Sequence, residues 1–169
     1  FSGFHANTAV QVPGFTPVTE EDSIVDFDRV GPHYAKATGA RLLRGRDILD
    51  IDRGTSERVA LVNEAFVRRF DKGGDPLGQN ITMDSVSYRI VGVIGDVQAR
   101  DLRGEVVPKV YTARMQQRAE DLQGHHIFIV RTAGDPNALV EPLTRAIKQA
   151  VPAISRPNIE TLPAMVRES

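Results

Sequence analysis

The stretch VALVNEAFVRRF, from Val59 to Phe70, is the part of this sequence that best defines a fold. Arg58 to Val62 is a compact apolar run of strand length, which predicts a buried β-strand. Asn63 follows at once and predicts a helix N-cap, because its side-chain oxygen can accept from a free backbone N–H one turn further on. Phe66 and Phe70 then share one helical face. The stretch therefore predicts a strand that passes directly into a helix.

Downstream of this helix, two short runs predict a β-hairpin. Asn80 to Met83 and Ser87 to Val97 are strand-like and are joined around Asp84-Ser85, residues common in tight turns. The glycines inside the second run predict a kink or bulge. Val106 to Thr112 predicts another strand, and Pro108 within it predicts an edge position, because proline cannot donate to a strand ladder.

Upstream of Val59, the pattern predicts a strand, a short helix and a second strand. Ile24 to Val30 alternates apolar and acidic residues, as in a strand with one solvated face. Gly31-Pro32 predicts the start of a short helix with proline at its first position, and Gly39 predicts its end. Ala40 to Leu43 predicts the next strand.

A second strand–helix–strand arrangement is predicted near the C-terminus. Its strands are Ile127 to Thr132 and Asn158 to Thr161, and the helix between them repeats apolar residues at helical spacing. Asp135 is a good N-cap and Pro136 suits a first turn, whereas Pro142 removes a backbone donor and predicts a kink. The order βαβ, strand-rich middle, βαβ predicts the α+β class.

The composition excludes several classes of function. With 21 Lys+Arg against 22 Asp+Glu the net charge is -1, so the basic face that a nucleic-acid backbone requires is not expected. The absence of cysteine excludes disulfides and thiolate sites. No run approaches the roughly 20 apolar residues of a membrane span, and no signal-peptide pattern opens the chain. Because the first residue is Phe1, we expect a piece of a longer protein whose membrane segments would lie outside it.

The candidate groups for catalysis or metal binding lack the necessary spacing. His125 and His126 are adjacent, and neighbours in a strand point to opposite faces, so the pair cannot easily share a metal. Asp47, Asp50 and Asp52, followed by Glu57, depart from the calcium-loop spacing. We expect Asp50, Asp52 and Glu57 to solvate a turn and to meet Arg44, Arg46 or Arg53. No nucleophile-elbow, zinc or phosphate-loop motif occurs. The sequence therefore predicts a chain that is not an enzyme and holds no metal or cofactor.

Six segments, taken in order, resemble the periplasmic core domain of ABC transporter permeases of the MacB/FtsX type, especially the orphan permease branch. They are DFDRVGPHYAKATGARLLRGRDI (Asp26 to Ile48), VALVNEAFVRRF (Val59 to Phe70), DPLGQNI (Asp75 to Ile81), YRIVGVIGDV (Tyr88 to Val97), PKVYTA (Pro108 to Ala113) and VRTAGDPNALVEPLTRAI (Val130 to Ile147). Their shared order along the chain carries the resemblance.

The resemblance implies an α+β fold made of a porter-like lobe of two βαβ halves, with a small β-rich, Sabre-like lobe inserted between them. It assigns residues 1–58 to the first half of the porter-like lobe, residues 59–114 to the inserted lobe and residues 115–169 to the second half. It also implies a location on the periplasmic or extracellular face of the membrane, as the soluble domain of an integral membrane protein.

The resemblance further implies a mechanical role in transport or efflux. The domain would transmit the ATP-driven motion of the transmembrane helices to an extracytoplasmic substrate or partner. Its partners would be its own transmembrane helices, a second copy of the permease, a cytoplasmic ATPase and a periplasmic adaptor protein, and no nucleic acid. ATP would bind a separate subunit or domain, because this chain contains no Walker motif.

The connection from Gln98 to Val107 is the candidate partner-facing loop. Its charged residues are Arg100, Asp101, Arg103 and Glu105. Charged, exposed loops are the norm on protein surfaces, so a solvated loop without a partner is the other interpretation.

Two other functions are open at this point. A free-standing periplasmic module that binds a small ligand would need a concave pocket with converging polar groups. A hydrolase would need His33, His125 or His126 to meet a serine or an aspartate in space.

Overall fold

A computed structural model describes residues 6–71, 74–96, 106–117, 127–152 and 157–161 of this chain. The chain divides into two units, residues 1–129 and residues 130–169.

The regular secondary structure described in the first unit is mainly β-strand. In chain order its described strands are β1 (Ala6–Gln11), β2 (Ile24–Val30), β3 (Leu42–Gly45), β4 (Val59–Asn63), β5 (Asn80–Met83), β6 (Val86–Ile94) and β7 (Lys109–Ala113). Its described α-helices are α1 (Tyr34–Thr38) and α2 (Glu64–Phe70), and short 3₁₀ helices span Glu20–Ser23 and Arg114–Gln116. β4 runs directly into α2, as the sequence predicts.

The seven strands form one mixed sheet that closes on itself. The strand order is β3-β6-β4-β7-β2-β1-β5, and β5 also pairs with β6. The pairs β2–β7 and β4–β6 are parallel, and the others are antiparallel. Arg89 of β6 pairs with Val59 of β4 and with Asn80 of β5, so these two strands lie on opposite edges of β6. Six strands therefore form a closed ring, and β3 lies beside the second half of β6.

This sheet confirms the α+β class, but it joins strands that the resemblance assigns to separate lobes. β1 to β3 come from residues 1–58 and β4 to β7 from residues 59–114, yet β2 pairs with β7 and β3 with β6. The division into porter-like and Sabre-like lobes stays a prediction.

The larger hydrophobic core, here called the inner core, lies on the face of β4 that bears Ala60 and Val62 and is covered by α2. Its buried residues are Val10, Val12, Val25, Ala60, Val62, Phe66, Phe70, Ile81, Met83, Tyr88, Ile90, Val93 and Val110. The ring of Phe70 contacts the rings of Phe66 and Phe15, with centroids 4.6 and 4.8 Å apart. These contacts hold α2 against the sheet.

The smaller core, here called the outer core, lies on the opposite face of β4. Its buried residues are Val30, Ala35, Ile48, Val59, Leu61, Ile94, Tyr111 and Ala113. All five residues of β4 are buried, because successive side chains point to opposite faces and both faces are covered. This explains why the strand is a continuous apolar run.

Two local predictions are confirmed around β6. Asp84 and Ser85 have φ values of 48° and 63°, as in the tight turns that join hairpin strands. The pairing of β6 with β4 shifts register between Ala60 and Leu61, which is the predicted bulge. A Cβ at Gly92 would lie 2.2 Å from the carbonyl oxygen of Arg46, so glycine is required at this close approach.

The edge position predicted for β7 is wrong, because β7 lies between β4 and β2. Pro108 precedes the first strand residue, Lys109, so its missing N–H removes nothing from the ladder. Its carbonyl oxygen accepts a hydrogen bond from the Asp26 N–H at 3.0 Å. Pro108 therefore lies at the boundary of β7, where it does not indicate whether the strand is at the edge of the sheet.

The start predicted for the first helix is also wrong. α1 begins at Tyr34, and His33 before it has a left-handed φ of 60°, so Pro32 is not its first residue. The His33 N–H donates to the Ile48 carbonyl at 2.7 Å, which fixes the chain before the helix starts. Gly39 ends the helix with a φ of 79°, as predicted.

The second unit contains one α-helix among its described residues, α3 (Val140–Ala150), preceded by a 3₁₀ helix at Pro136–Leu139. Asp135 Oδ1 accepts from the Asn137 N–H at 2.9 Å, which confirms the predicted N-cap. Pro142 lies in the first turn of α3, where backbone N–H groups have no intrahelical acceptor. Pro142 therefore does not lie in the helix interior, where a kink was predicted. The helix instead changes from 3₁₀ to α at Val140.

The strands predicted at Ile127–Thr132 and Asn158–Thr161 are not observed, since neither segment pairs with a strand in the described part of the chain. Phe128 is 84% exposed. Alternation indicates which side chains would share a face, but a strand also needs a hydrogen-bonding neighbour.

Candidate functional site

The residues predicted to face a partner, Arg100, Asp101, Arg103 and Glu105, lie outside the described residues, so their role stays a prediction. The chain on either side is described as far as Asp96 and from Val106 onward. Both of these flanks are bound to the same place, the point where β4 passes into α2. This β4–α2 junction is the candidate functional site.

Asn63 is the centre of the junction. Its side chain is almost fully buried, with 3% of the residue exposed. Its Oδ1 accepts from the Phe66 N–H at 3.0 Å and from the Lys109 N–H at 2.9 Å, and its Nδ2 donates to the Val107 carbonyl at 2.9 Å. One amide therefore caps α2 and also fixes the chain that leads into β7.

Asp96 binds the other flank to the same helix. Its Oδ1 accepts from the Ala65 N–H at 2.9 Å, and its Oδ2 accepts from Arg68 at 2.8 Å. The Asp96 N–H in turn donates to Glu64 Oε2 at 3.3 Å. A carboxylate that accepts from the first turn of a helix is favoured there by the unpaired N–H groups. The two flanks of residues 97–105 are thus held by three consecutive positions, Asn63 to Ala65.

An open cleft of about 350 Å³ lies beside the junction. The residues that line it are Thr38, Gly39, Ala40, Arg41, Glu64, Gly95 and Asp96. Gly95 N–H donates to the Arg41 carbonyl at 2.8 Å, which joins the α1–β3 turn to the end of β6. The cleft carries charges of both signs, and apolar side chains contribute little to it.

Two tyrosines on the outer face titrate far from neutral pH. Burial, with a smaller contribution from the Asp28 carboxylate, raises the pKa of Tyr34 to about 12. Burial raises the pKa of Tyr111 even further, with smaller contributions from the nearby Tyr34 and Asp28. Their rings stack at 5.1 Å, and Lys109 pairs with Asp28 at 2.7 Å. Both phenols therefore remain protonated, and their place is in the packing of the outer core.

The three aspartates of the predicted polar turn have different partners. Asp47 Oδ2 accepts from the Ala35 N–H at 2.9 Å and so caps α1. Asp52 meets an arginine as expected, since both its oxygens accept from Arg46 at 2.7 and 2.9 Å. The expectation that Asp52 solvates the turn is wrong, because only 4% of it is exposed. The ion pair with Arg46 is what permits that burial.

His33 is the histidine that the structure describes, and it pairs with an aspartate at the surface. His33 Nε2 lies 3.1 Å from Asp50 Oδ2, so Asp50 meets a histidine where an arginine was expected. The two side chains are 51% and 76% exposed, unlike the desolvated pairs of active sites. His125 and His126 lie outside the described residues. Across the described ranges, no three His, Asp or Glu side chains are grouped so that they could hold a metal ion.

Sequence reasoning found Asn63 as a helix cap but missed its bonds to Val107 and Lys109, and it missed Asp96. The cap follows from local spacing. The other bonds join residues that are more than 30 positions apart. An aspartate directly after a glycine at a strand end was the available signal, and it is too common to be specific.

Three solved domains share this fold. The periplasmic region of MacB from Actinobacillus actinomycetemcomitans matches with a TM-score of 0.60 and 17% identity over 86% of this chain. The extracellular domain of the noncanonic ABC-type transporter YknZ from Gram-positive bacteria matches with a TM-score of 0.57 and 11% identity over 86% of this chain and 72% of its own. A domain assigned to a permease protein of Porphyromonas gingivalis matches with a TM-score of 0.51 and 16% identity over 98% of this chain and 79% of its own. At these identities the likeness defines the fold: that of extracytoplasmic domains of ABC transporters.

The family follows from the sequence comparison. Residues 5–150 match the family described as the MacB-like periplasmic core domain. The chain belongs to this family, as its six segments suggested. The family consists of domains of transporter permeases and is not a class of enzymes.

Three further observations concern the length of the match, curated sequences and membrane-spanning helices. The chain spans 63% of the length of the MacB periplasmic region that it matches, and no curated protein sequence is significantly similar to it. Within the residues that the structure describes, no helix is long and apolar enough to cross a membrane.

Proposed function

We propose that this domain transmits ATP-driven motion of the transmembrane helices of its permease to an extracytoplasmic substrate or partner. Membership of the MacB-like periplasmic core domain family supports the transporter context. The observation that carries the mechanical part is the closed sheet with a buried core on each face. Motion passes through a domain only if its packed elements move together.

The β4–α2 junction is the second support for a mechanical role. Asn63 and Asp96 hold both flanks of residues 97–105 on one helix that is packed on the inner core. Displacement of the sheet would therefore displace both flanks together. A loop whose ends are rigidly held loses less conformational entropy when it contacts a partner.

The partners proposed for this domain are its own transmembrane helices, a second copy of the permease, a cytoplasmic ATPase and a periplasmic adaptor protein. We propose that the chain itself binds no cofactor and that ATP binds the separate ATPase. The charged loop with Arg100, Asp101, Arg103 and Glu105 is proposed to face the extracytoplasmic partner. Charge reversal at Arg100 and Arg103 is expected to weaken capture of that partner, and unchanged capture would remove the loop from the proposal.

The direct test separates ATP hydrolysis from transport. In the full-length permease with its ATPase, residues 6–161 are replaced by a flexible Gly/Ser linker. ATP hydrolysis is expected to persist, because the ATP site lies elsewhere, whereas transport is expected to be lost. Transport at the normal rate without the domain would refute the proposed function.

A free-standing ligand-binding module makes a different prediction. Such a module is stabilised by its ligand, by about 2.7 kcal/mol at a hundred times the dissociation constant. The cleft beside the junction is open and is lined by the charged residues Arg41, Glu64 and Asp96. This does not favour a ligand-binding function, because small-molecule pockets are mostly enclosed and apolar. A thermal unfolding screen against periplasmic metabolites separates the two functions.

A further inference from the structure

The part of the chain that covers the outer core lies between two exposed glycines, Gly31 and Gly54. Residues 32–53, here called the flap, contain α1, β3 and the loop after β3. A Cβ on either glycine would contact nothing within 4 Å, and Gly54 has a φ of 57°. The Gly54 N–H donates to the Met115 carbonyl at 3.0 Å, which holds that end of the flap beside β7. The chain therefore has room to turn at both ends of the flap.

The charged groups of the flap hold it together from within. Both oxygens of Asp52 accept from Arg46, at 2.7 and 2.9 Å. Asp47 caps α1, and His33 Nε2 lies 3.1 Å from Asp50 Oδ2. Each of these contacts joins two residues of the flap. They would persist if the flap moved as one body.

The contacts between the flap and the ring of six strands follow the second half of β6. Among the described strands, β3 pairs with β6 alone. The Arg46 N–H donates to the Val91 carbonyl at 2.9 Å, and the N–H of Gly95, which follows β6, donates to the Arg41 carbonyl at 2.8 Å. Ile48 is the largest fully buried side chain of the flap, with 1% of the residue exposed. The flap is therefore attached along one strand and by its part of the outer core.

The contact between β3 and β6 is made largely by backbone. Gly45 of β3 pairs with Gly92 of β6, and a Cβ on Gly45 would lie 2.2 Å from the Val91 carbonyl oxygen. The side chain of Arg44 donates to the Gly74 carbonyl at 3.0 Å, but it is half exposed. At the paired glycines, no side chains have to disengage when the strands separate.

We infer that the flap opens from the outer core as one hinged unit, with Gly31 and Gly54 as its pivots, while the ring of six strands stays closed. Opening breaks the backbone bonds to β6 and withdraws Ile48, but it keeps the ion pairs inside the flap. Hinges are a few positions that absorb a change of backbone angles, and weakly attached elements open at a lower free energy than the core. The inference goes beyond the proposed function and does not depend on it.

Hydrogen exchange on the purified full-length permease tests the hinge. The N–H groups of Arg46 and Gly95 are bonded across the boundary between flap and ring, whereas those of Asp26 and Ile90 are bonded outside the flap, at 3.0 and 2.9 Å. Protection at Arg46 and Gly95 is expected to be at least about tenfold lower than at Asp26 and Ile90, because only the flap has to open.

Two amides inside the flap separate hinged motion from local unfolding. The His33 N–H donates to the Ile48 carbonyl at 2.7 Å, and the Asp52 N–H donates to the Leu49 carbonyl at 3.0 Å. Both are expected to be better protected than Arg46, because these bonds move with the flap. Equal protection at His33, Asp52 and Arg46 would show that the flap unfolds, which would contradict a hinged unit.

Because the chain contains no cysteine, a disulfide can lock the flap. A Cβ on Gly95 would lie 3.8 Å from Arg41 Cβ, a separation typical of disulfides. In oxidised Arg41→Cys/Gly95→Cys, protection at Arg46 is expected to rise about tenfold, since the flap then opens only with the whole domain, and reduction should reverse the rise. The control is Ala9→Cys/Ile24→Cys, which joins directly paired residues of β1 and β2 inside the ring and should leave protection at Arg46 unchanged.

Two results would overturn the inference. One is equal protection at Arg46 and Ile90 in the unmodified permease, because the flap would then open only when the ring unfolds. The other is an equal rise at Arg46 from the control disulfide and from the lock, since a bond inside the ring slows only global unfolding. Mass spectrometry confirms that each disulfide has formed, and thermal unfolding checks that each variant is folded. Neither result bears on the linker replacement, which tests the proposed function.

Discussion

The inner and outer cores lie on opposite faces of the same strands and are closed in different ways. The inner core is covered by a helix that inserts two phenylalanine rings, Phe66 and Phe70. The outer core is covered in part by the loop after β3, from which Ile48 inserts with 1% of its surface exposed. That loop is held by the ion pair of Arg46 and Asp52 and by the cap that Asp47 gives to α1.

This difference shows that the two cores depend on different interactions. The inner core is stabilised by removal of apolar surface from water, which responds little to pH. In the outer core, the ion pair of Arg46 and Asp52 holds the loop that carries Ile48. The stability of the outer core therefore depends on the protonation of Asp52. Matched variants of the two faces test this difference.

The largest loss is expected for Phe66→Ala in the inner core. Phe66 has no exposed surface, and emptying such a site lowers the free energy of unfolding by about 3–5 kcal/mol. Urea unfolding of the chain measures it, with Phe66→Leu as a control that leaves a smaller cavity. A loss below about 1 kcal/mol would show that the inner core is not the main source of stability.

A somewhat smaller loss is expected for Ile48→Ala in the outer core, about 2–4 kcal/mol. The matched control is Ile51→Ala in the same loop, where 69% of the residue is exposed, and its effect should stay within about 0.5 kcal/mol. Equal effects of the two substitutions would mean that the loop does not close the outer core.

Asp52→Asn is expected to lower the free energy of unfolding by about 1–3 kcal/mol at pH 7, because Arg46 loses its carboxylate partner. Burial opposes ionisation of Asp52, but bonds from Arg46 and from the Leu49 N–H outweigh it and hold the pKa of this carboxyl below its usual value. A lowered folded-state pKa gives stability that is complete above the unfolded pKa, about 3.9, and is lost as the pH falls through the folded value.

The difference between the wild-type chain and Asp52→Asn should therefore shrink as the pH falls below about 4. Asp50→Asn is the control, because Asp50 is 76% exposed and pairs with an exposed histidine, and exposed pairs contribute about 0–1 kcal/mol. A wild-type advantage that does not shrink as the pH is lowered would contradict the role given to the Arg46–Asp52 pair.

The smallest effect is expected for Ser85→Gly, which touches neither core. Ser85 has a φ of 63° in the hairpin turn, a conformation that glycine adopts without strain, so stability should rise by about 0.5–1 kcal/mol. Thr8 Oγ1 still donates to Asp84 Oδ1 at 2.9 Å, which keeps the turn in place. Ser87→Gly, in the extended strand that follows, should instead destabilise, and a rise for both would mean that the turn strain is not the cause.

The sequence predicted the elements whose signals are local. Asn63 as a cap, the Asp84–Ser85 turn and the end of α1 at Gly39 are confirmed, since each depends on residues within one turn. The predictions that failed needed a distant partner. Pro108 predicts an edge strand, but β7 lies between two other strands of the sheet. Ile127–Thr132 has a strand pattern but no described strand beside it.

Even less of the candidate site could be predicted from the sequence. The charged loop is evident from Arg100 to Glu105, but nothing local indicates that Asn63 and Asp96 bind its two flanks to one helix. Those bonds cross 31 to 46 positions of sequence. Only the strand order brings them together.

By itself the sequence determined the family, the α+β class, the junction of strand and helix at Asn63 and the lack of cysteine chemistry, because propensity, capping and composition act over a few residues. The closed ring of strands, the burial of Asp52 and the cleft between Arg41 and Glu64 were decided by the tertiary structure alone. Each depends on which strands become neighbours in the sheet. The pairing of strands is determined by the burial of whole sheet faces, and the sequence of a single segment does not specify it.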